Sequence, residues 1–307
     1  MLEDEIRKDA REILDFFKDN DVDIKIISGD NLATVENISM KVGVPNPKAV
    51  DLSTFKSSIN YEKLVQEYNI FTRVKPAQKK SLILAFKKQN KTVAMTGDGV
   101  NDILAMKEAD CSIAIGEGSD AARRSAKLVL LNPDFAAVPS IIAEGRQSIN
   151  NLERSTVLFL SKTVYASILA VLFTILPLEY PYAPIEMSLL NFLCIGFPGL
   201  VLALETNTAR IKDQFVKNIK KFSVPTGIIV ALSMVVLSVI ARYNNLPRSE
   251  LLTISAVVTF IIGIILIYRI SKPLNTFRAA LIGVIIAIFV ATLLLPATRL
   301  LFDFAIL

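Results

Sequence analysis

Five stretches in the second half of this 307-residue chain carry almost no charge: residues 156–176, 187–204, 222–241, 251–268 and 279–298. Each approaches the ~20 residues a helix needs to cross a bilayer. Backbone amides in lipid must bond within their own segment or within a closed barrel, so five such stretches commit this half to a helical membrane bundle. The mean hydropathy of +0.48 agrees. The one charge inside a stretch, Lys162, lies near the start of the first, where its flexible stem can carry the ammonium back to the headgroups.

Charge is distributed unevenly. Up to Arg154 the chain holds 23 acidic and 22 basic residues, and beyond it 6 and 12. The excess bases gather in two connectors, one holding Arg210, Lys212, Lys217, Lys220 and Lys221, the other Arg269, Lys272 and Arg278. Bases flanking apolar segments mark their cytoplasmic ends. The first stretch then leaves the cytoplasm, the polar N-terminal half stays on the cytoplasmic side, and an odd number of spans puts Leu307 on the opposite face. Basic residues placed this way argue against a nucleic-acid partner. The absence of histidine excludes imidazole catalysis and ligation within these residues. Two distant cysteines, Cys111 and Cys194, build neither a disulfide framework nor a cysteine metal site. The charged start, residues 1–12, has no apolar signal segment.

The polar half alternates strand-like and helix-like segments. Residues 22–27 read as a strand that empties into Ser28-Gly29-Asp30-Asn31 before a helix. Residues 70–74 read as a strand before a helix over 76–88, with Pro76 at its first turn and Lys79 one turn in. Residues 91–95 read as a strand running into Thr96-Gly97-Asp98-Gly99-Val100-Asn101-Asp102 and a short helix, with further strands at 112–115 and 128–131. This pattern predicts a Rossmann-type parallel α/β sheet covered by helices, with ligands at the carboxyl ends of its strands. Ser28, Lys79, Asp98 and Asp102 would then share one rim. A hydroxyl and loop amides that hold phosphoryl oxygens, a lysine that offsets charge and a carboxylate that holds magnesium are the parts of a phosphoryl-transfer site. Asp98 is the expected magnesium ligand, with Asn101 and Asp102 placed to orient water, metal or the reacting carboxylate. A Ser-Gly-Asp-Asn turn or a helix lysine taken alone also fits a plain turn or a solvated side chain.

The run Thr96 to Asp102 resembles the hinge signature of P-type cation-transporting ATPases. Ser28-Gly29-Asp30-Asn31 resembles that family's second phosphate motif, Phe71 to Lys79 its lysine motif, and Asp4-Glu5-Ile6-Arg7 a degraded Asp-Pro-Pro-Arg. The resemblance implies a haloacid dehalogenase-like phosphorylation domain followed by an α-helical transmembrane bundle. It divides the chain into the C-terminal part of a cytoplasmic phosphorylation domain at 1–136, a stalk helix at 137–155, and at 156–307 the family's fifth to ninth transmembrane helices, without the tenth. It implies ATP and Mg²⁺ as cofactors, with Asp4, Arg7, Ser28 and Lys79 on the nucleotide and phosphate side and Ser28, Gly29, Asp30, Lys79, Asp98, Asn101 and Asp102 as the catalytic set. It also implies a multi-pass plasma-membrane pump whose transported cation is calcium by preference. The family's phosphorylated Asp-Lys-Thr-Gly-Thr is absent from the 307 residues. The chain alone is therefore expected to be inactive and to need the missing N-terminal part of the same pump. A non-catalytic remnant docking on an intact pump and a membrane-tethered phosphatase are the alternatives.

Residues 137–176 read as one helix of ~40 residues, spanning ~60 Å at 1.5 Å per residue. A break near Gly145 or Asn150-Asn151 is the competing reading. In the second span, Pro198 and Gly199 can open the helix and free carbonyls beside Asn191. Asn191 and Cys194 are thus candidates for the transported-ion path, although Asn191 bonded to a neighbouring helix would look the same in sequence.

Overall fold

The computed structural model describes residues 9–55, 58–131, 135–211, 214–302 and 304–305. The chain forms two compact units, Met1–Ile142 and Ala143–Leu307.

In chain order the first unit holds α1 (Ala10–Asp19), β1 (Ile26–Ile27), α2 (Leu32–Val42), β2 (Ala49–Asp51), α3 (Tyr61–Glu67), β3 (Ile70–Thr72), α4 (Pro76–Lys88), β4 (Ala94–Gly97), α5 (Ile103–Glu108), β5 (Cys111–Ile115), α6 (Asp120–Ser125) and β6 (Leu128–Leu130). All ladders are parallel. They form two three-stranded sheets, ordered β1-β3-β2 and β4-β5-β6, where the sequence suggested one. The edges of β1 and β4 away from these ladders find no strand partner among the described residues.

One helix joins the two sheets into one core. α4 sends Leu82, Ala85 and Phe86 into the cluster under β3 and Ile83 into the cluster under β4 and β5, while Ile27 and Val93 pack against both. Local chemistry sets where α4 begins. Pro76 stands at its first turn, where a missing N–H costs nothing, and the Gln78 side chain accepts from the Lys75 amide at 2.8 Å. α2 is bounded in the same manner, by the Asn31 side chain accepting from the Thr34 amide at 2.9 Å and by Gly43 at φ +90°.

Strand limits differ from the sequence reading where alternation alone was followed. β1 is confined to two residues, and β4 begins three residues later than expected because Val93 spends its amide on the Asp110 carboxylate at 2.9 Å. β2 and α3 were not foreseen. Pro45-Asn46-Pro47 and Ser57-Ser58 punctuate that region like loop.

The remaining helices are α7 (Ala137–Ile175), which begins in the first unit, then α8 (Pro184–Asn191), a π-helical turn (Phe192–Gly196), α9 (Phe197–Ala203), α10 (Phe215–Tyr243), α11 (Arg248–Ile270), α12 (Thr276–Leu294) and α13 (Pro296–Phe302). Among the described residues five segments are long and apolar enough to cross a membrane: α7, the α8–α9 run Pro184–Ala203, α10, α11 and α12. α7 is one continuous helix of 39 residues, without a break at Gly145 or at Asn150-Asn151. Leu169, Leu193, Met234, Ala256, Ile267 and Ile285 form the centre of the bundle. Apolar residues such as Val171, Ile229, Leu232 and Val236 stay exposed, as expected of lipid-facing surfaces.

Candidate functional site

The carboxyl ends of β1 and β4 both open into the motifs singled out in the sequence. Ser28 directly follows β1. Its amide donates to the Phe71 carbonyl at 2.9 Å, its carbonyl accepts from the Val74 amide at 3.0 Å, and the Asp30 carbonyl accepts from the Arg73 amide at 3.0 Å. The Ser28-Gly29-Asp30 turn is therefore stitched to the loop that leads into α4. The Ser28 hydroxyl donates to Asp30 Oδ2 at 2.9 Å and accepts from the Asp30 amide at 3.1 Å, while Gly29 and Asp30 lie exposed.

At the end of β4, Gly97 leads through exposed Asp98 to a 3₁₀ turn, Val100–Asp102. Asp102 turns back under this loop and is 7% exposed. Its Oδ1 accepts from Lys79 Nζ at 2.6 Å, with the two side chains only 10% and 12% exposed. Residues 23 apart in sequence and on different elements thus form the most closely drawn pair of the predicted set. An ammonium has three donors, so one committed to Asp102 leaves two for phosphoryl oxygens, and the carboxylate fixes where they point.

Two glycines make this geometry possible. A side chain at Gly97 would place its Cβ 2.6 Å from Asp102 Cβ and 2.9 Å from its Cγ. A Cβ at Gly118 would lie 2.4 Å from the Asp98 carbonyl oxygen, which also accepts from the Ser119 amide at 2.8 Å. Gly118 and Ser119, which clasp the backbone of Asp98, were missed in sequence; the small-residue turn before α6 was the only cue. Asn101 lies exposed within the 3₁₀ turn. Asp4 and Arg7 lie outside the described residues.

The donor set suits magnesium, which keeps several waters and asks one or two carboxylates of the protein. Asp98 is the free exposed carboxylate at the rim, since Asp102 is engaged by Lys79 and Asp30 by Ser28. Among the described residues no three acidic or thiol groups gather into a fuller cage.

In the second unit the helix opens earlier than Pro198. The π turn Phe192–Gly196 lies just before the proline, whose ring in a regular α-helix would crowd the carbonyl of Cys194 four residues back; the wider turn avoids that clash. Asn191, at the start of the turn, has a buried Oδ1 that meets no hydrogen-bond donor among the described residues. Cys194 lies inside the turn and is 9% exposed. It lines a cavity of about 30 Å³ with Ser161, Tyr165, Thr226, Thr259 and Gly263. A Cβ at Gly263 would come within 2.8 Å of the Cys194 sulfur, so α11 leaves room for the turn at this position.

A second polar cluster occupies the end of the bundle where α9 stops. Glu205 accepts from Arg278 Nε at 2.9 and 2.8 Å, from Asn275 Nδ2 at 2.8 Å and from Arg154 at 3.1 Å. Burial on its own would push its carboxyl up. The hydrogen bonds from Arg278 and Asn275, with the charges of Arg278 and Arg154, outweigh burial and hold it below the usual glutamate range.

Residues 1–110 match the family model described as a haloacid dehalogenase-like hydrolase, so the first unit has that class of fold. The chain is 35% identical over 316 aligned residues to the calcium-transporting ATPase CtpE of Mycobacterium bovis, an alignment covering 97% of the chain and 39% of that protein. It is 36% identical over 313 to the probable cation-transporting ATPase exp7 of Streptococcus pneumoniae, covering 99% of the chain and 40% of that protein. A yeast relative, calcium-transporting ATPase 1 of Saccharomyces cerevisiae, is 34% identical over 191, covering 60% of the chain and 20% of that protein. The chain belongs to the P-type cation-transporting ATPases, and it spans about two fifths of the length of the bacterial relatives it matches.

Proposed function

We propose that this chain forms the phosphate-handling and membrane part of an ATP-driven cation pump of the plasma membrane, with calcium as the favoured cargo. The observation that carries the reading is the Lys79–Asp102 pair at 2.6 Å beside Asp98, in a chain whose relatives are named as calcium-transporting ATPases. Lys79 and the Ser28 hydroxyl bind phosphoryl oxygens, Asp102 orients Lys79, and Asp98 holds magnesium. Bound magnesium would offset the charge that develops on the transferring phosphoryl group. The backbone of Asp98 is kept in place by Gly118 and Ser119.

No Asp-Lys-Thr stretch occurs in the 307 residues, so the phosphorylated aspartate comes from elsewhere in the pump. The strand edges support this. β1 leads into Ser28 and β4 into Asp98, each is paired on one side only among the described residues, and Ile27 and Val93 join both cores. A strand paired with both would carry its own carboxyl end to the space between Ser28 and Asp98. The phosphorylation domain would be cytoplasmic, and α7 would relay its state to the bundle. Asn191 and Cys194, at the π turn, are the proposed ion-path residues. Asn191 offers a carbonyl oxygen that suits a hard cation better than the Cys194 thiol does.

The test is acid-stable phosphate labelling from ATP in the full-length protein containing this chain, across a cation panel. The parent should label, with calcium altering the labelled level, and Asp98→Asn should abolish the label. Normal labelling of Asp98→Asn at ordinary magnesium concentrations would remove Asp98 from the magnesium site, and no effect of calcium would remove calcium as cargo.

A further inference from the structure

A buried carboxylate shared by two arginines is an expensive arrangement for a membrane protein's rim, because desolvation of the three charges offsets much of their attraction. Glu205, Arg154 and Arg278 have side chains only 12%, 11% and 9% exposed. Stability alone is therefore a weak reason for the cluster, and what it connects is more telling. Arg154 belongs to α7, Glu205 follows α9 by two residues, and Arg278 lies in the first turn of α12.

Amides and carbonyls extend the connection. From α7, Asn150 Nδ2 donates to the carbonyls of Asn207 at 3.1 Å and Ala209 at 2.9 Å, and Asn151 Nδ2 to those of Ala203 at 2.9 Å and Glu205 at 3.3 Å. On the other side, Arg278 donates to the carbonyls of Ser271 at 3.0 Å and Pro273 at 2.5 Å, and Asn275 caps α12 by accepting from the Arg278 amide at 2.8 Å. Both connectors at this end of the bundle are thus fastened to one short stretch of α7, the first directly by Asn150 and Asn151 and the second through the Glu205 carboxylate.

The stretch is well placed to act as a switch. Asn150, Asn151 and Arg154 share one face of α7 at i, i+1 and i+4 spacing. Because successive residues turn by about 100°, a small rotation of α7 would carry all three donors away from residues 203–209 together. Glu205 follows by two residues a helical stretch that runs nine positions, about 14 Å, from Cys194 to Ala203, so movement of this connector acts directly on the segment holding the π turn. Charged groups held this closely favour two discrete arrangements, made or broken, over a gradual slide.

We infer that Glu205 is a positioning residue for ion coupling, locking α7 to the connectors before α10 and α12 so that a change in α7 is delivered to the ion-path segment. The inference rests on the pump reading given above. Breaking the lock should leave ATP hydrolysis in place and waste it.

The experiment reconstitutes the full-length protein into vesicles and measures cation moved per ATP hydrolysed. In Glu205→Gln the ratio should fall by about two- to thirtyfold, the range expected when a coupling network loses one member. That variant leaves two guanidinium groups facing each other and is at risk of not folding. The double variant Glu205→Gln with Arg154→Gln removes one charge of each sign, keeps the local net charge of the parent, and should show the same fall. An unchanged ratio in the folded double variant overturns the inference, as does a parallel loss of transport and hydrolysis at constant ratio. Failure of both variants to fold overturns it too, by making the cluster a structural support. A parent that hydrolyses ATP and moves no cation of the panel would instead sink the pump reading, and the lock with it.

Discussion

Gly97 and Asp102 are five residues apart, and the first is small so that the second can turn back under the loop. The room left is less than one methyl group, since a Cβ at position 97 would meet Asp102 Cβ at 2.6 Å. Gly97→Ala must therefore push Asp102 aside, and Asp102 cannot move without releasing Lys79 from its 2.6 Å contact. Overpacking of this kind typically costs about 1–3 kcal/mol, and here it should fall on the site more than on the fold. Phosphoenzyme formation in the full-length protein should drop about as far as in Asp102→Asn, roughly ten- to a hundredfold if the whole cost reaches the reaction, while the thermal midpoint shifts by only a few °C. Parent-like labelling of Gly97→Ala would show that the Lys79–Asp102 contact does not set the rate. The individual residues of this site were legible in sequence: Ser28, Lys79, Asp98 and Asp102 all came from local motifs. Their pairing was not, because nothing local to residues 75–79 or 96–102 says that Lys79 meets Asp102 before Asp98. Glu205 marks the other limit. It was visible only as an acid closing an apolar stretch, and its partners Arg154 and Arg278 lie 51 and 73 residues away.

Between elements the same close approach appears where α10 crosses α7. A Cβ at Gly227 would lie 2.6 Å from both Val164 Cβ and Cγ1 and 2.9 Å from the Ser161 carbonyl oxygen. Within lipid there is no hydrophobic drive between apolar helices, so backbone proximity of this sort supplies much of the packing energy. Gly227→Ala should separate the helices locally and lower stability by about 1–3 kcal/mol, read as a lower thermal midpoint of the full-length protein in detergent. A midpoint equal to that of the parent would mean that the crossing yields freely. The elements most legible in sequence were those with a chemical boundary: α4 starts at Pro76 as expected, and α5 follows the 3₁₀ turn. Of those missed, α3 has its boundary in Asn60, whose side chain accepts from the Lys63 amide at 3.1 Å, while β2 is set by its neighbour. β2 is three residues long and follows Pro45-Asn46-Pro47, and it forms because β3 offers a parallel edge from Ile70 to Thr72. Likewise the helix break of the second span is a π turn at 192–196, one turn before the proline that suggested it.

Across the bundle, charge and hydrogen bonding distinguish the two ends. The connectors around residues 204–214 and 271–275 are flanked by Lys217, Lys220, Lys221, Arg269, Lys272 and Arg278. The opposite end has Arg242 and Arg248 beside residues 244–247, and one of these is already engaged: Arg242 donates to the carbonyl of Pro177, just as the Ser238 hydroxyl donates to that of Glu179 at 3.3 Å. Arg242 thus serves to hold the connector after α7, leaving the larger share of uncommitted positive charge at the other end. By the retention of basic connectors on the cytoplasmic side, residues 204–214 and 271–275 should face the cytoplasm together with the phosphate-handling unit, and residues 244–247 should face outward. Single cysteines introduced as Asn207→Cys and Asn245→Cys, in a background with Cys111 and the other reactive cysteines of the full-length protein replaced by serine, test this in intact cells. A membrane-impermeant thiol reagent should label position 245 and spare position 207 until the cells are opened. Labelling of 207 from outside would invert the bundle. The phosphate-handling unit would then be separated from cytoplasmic ATP, and the pump reading would fail along with the orientation.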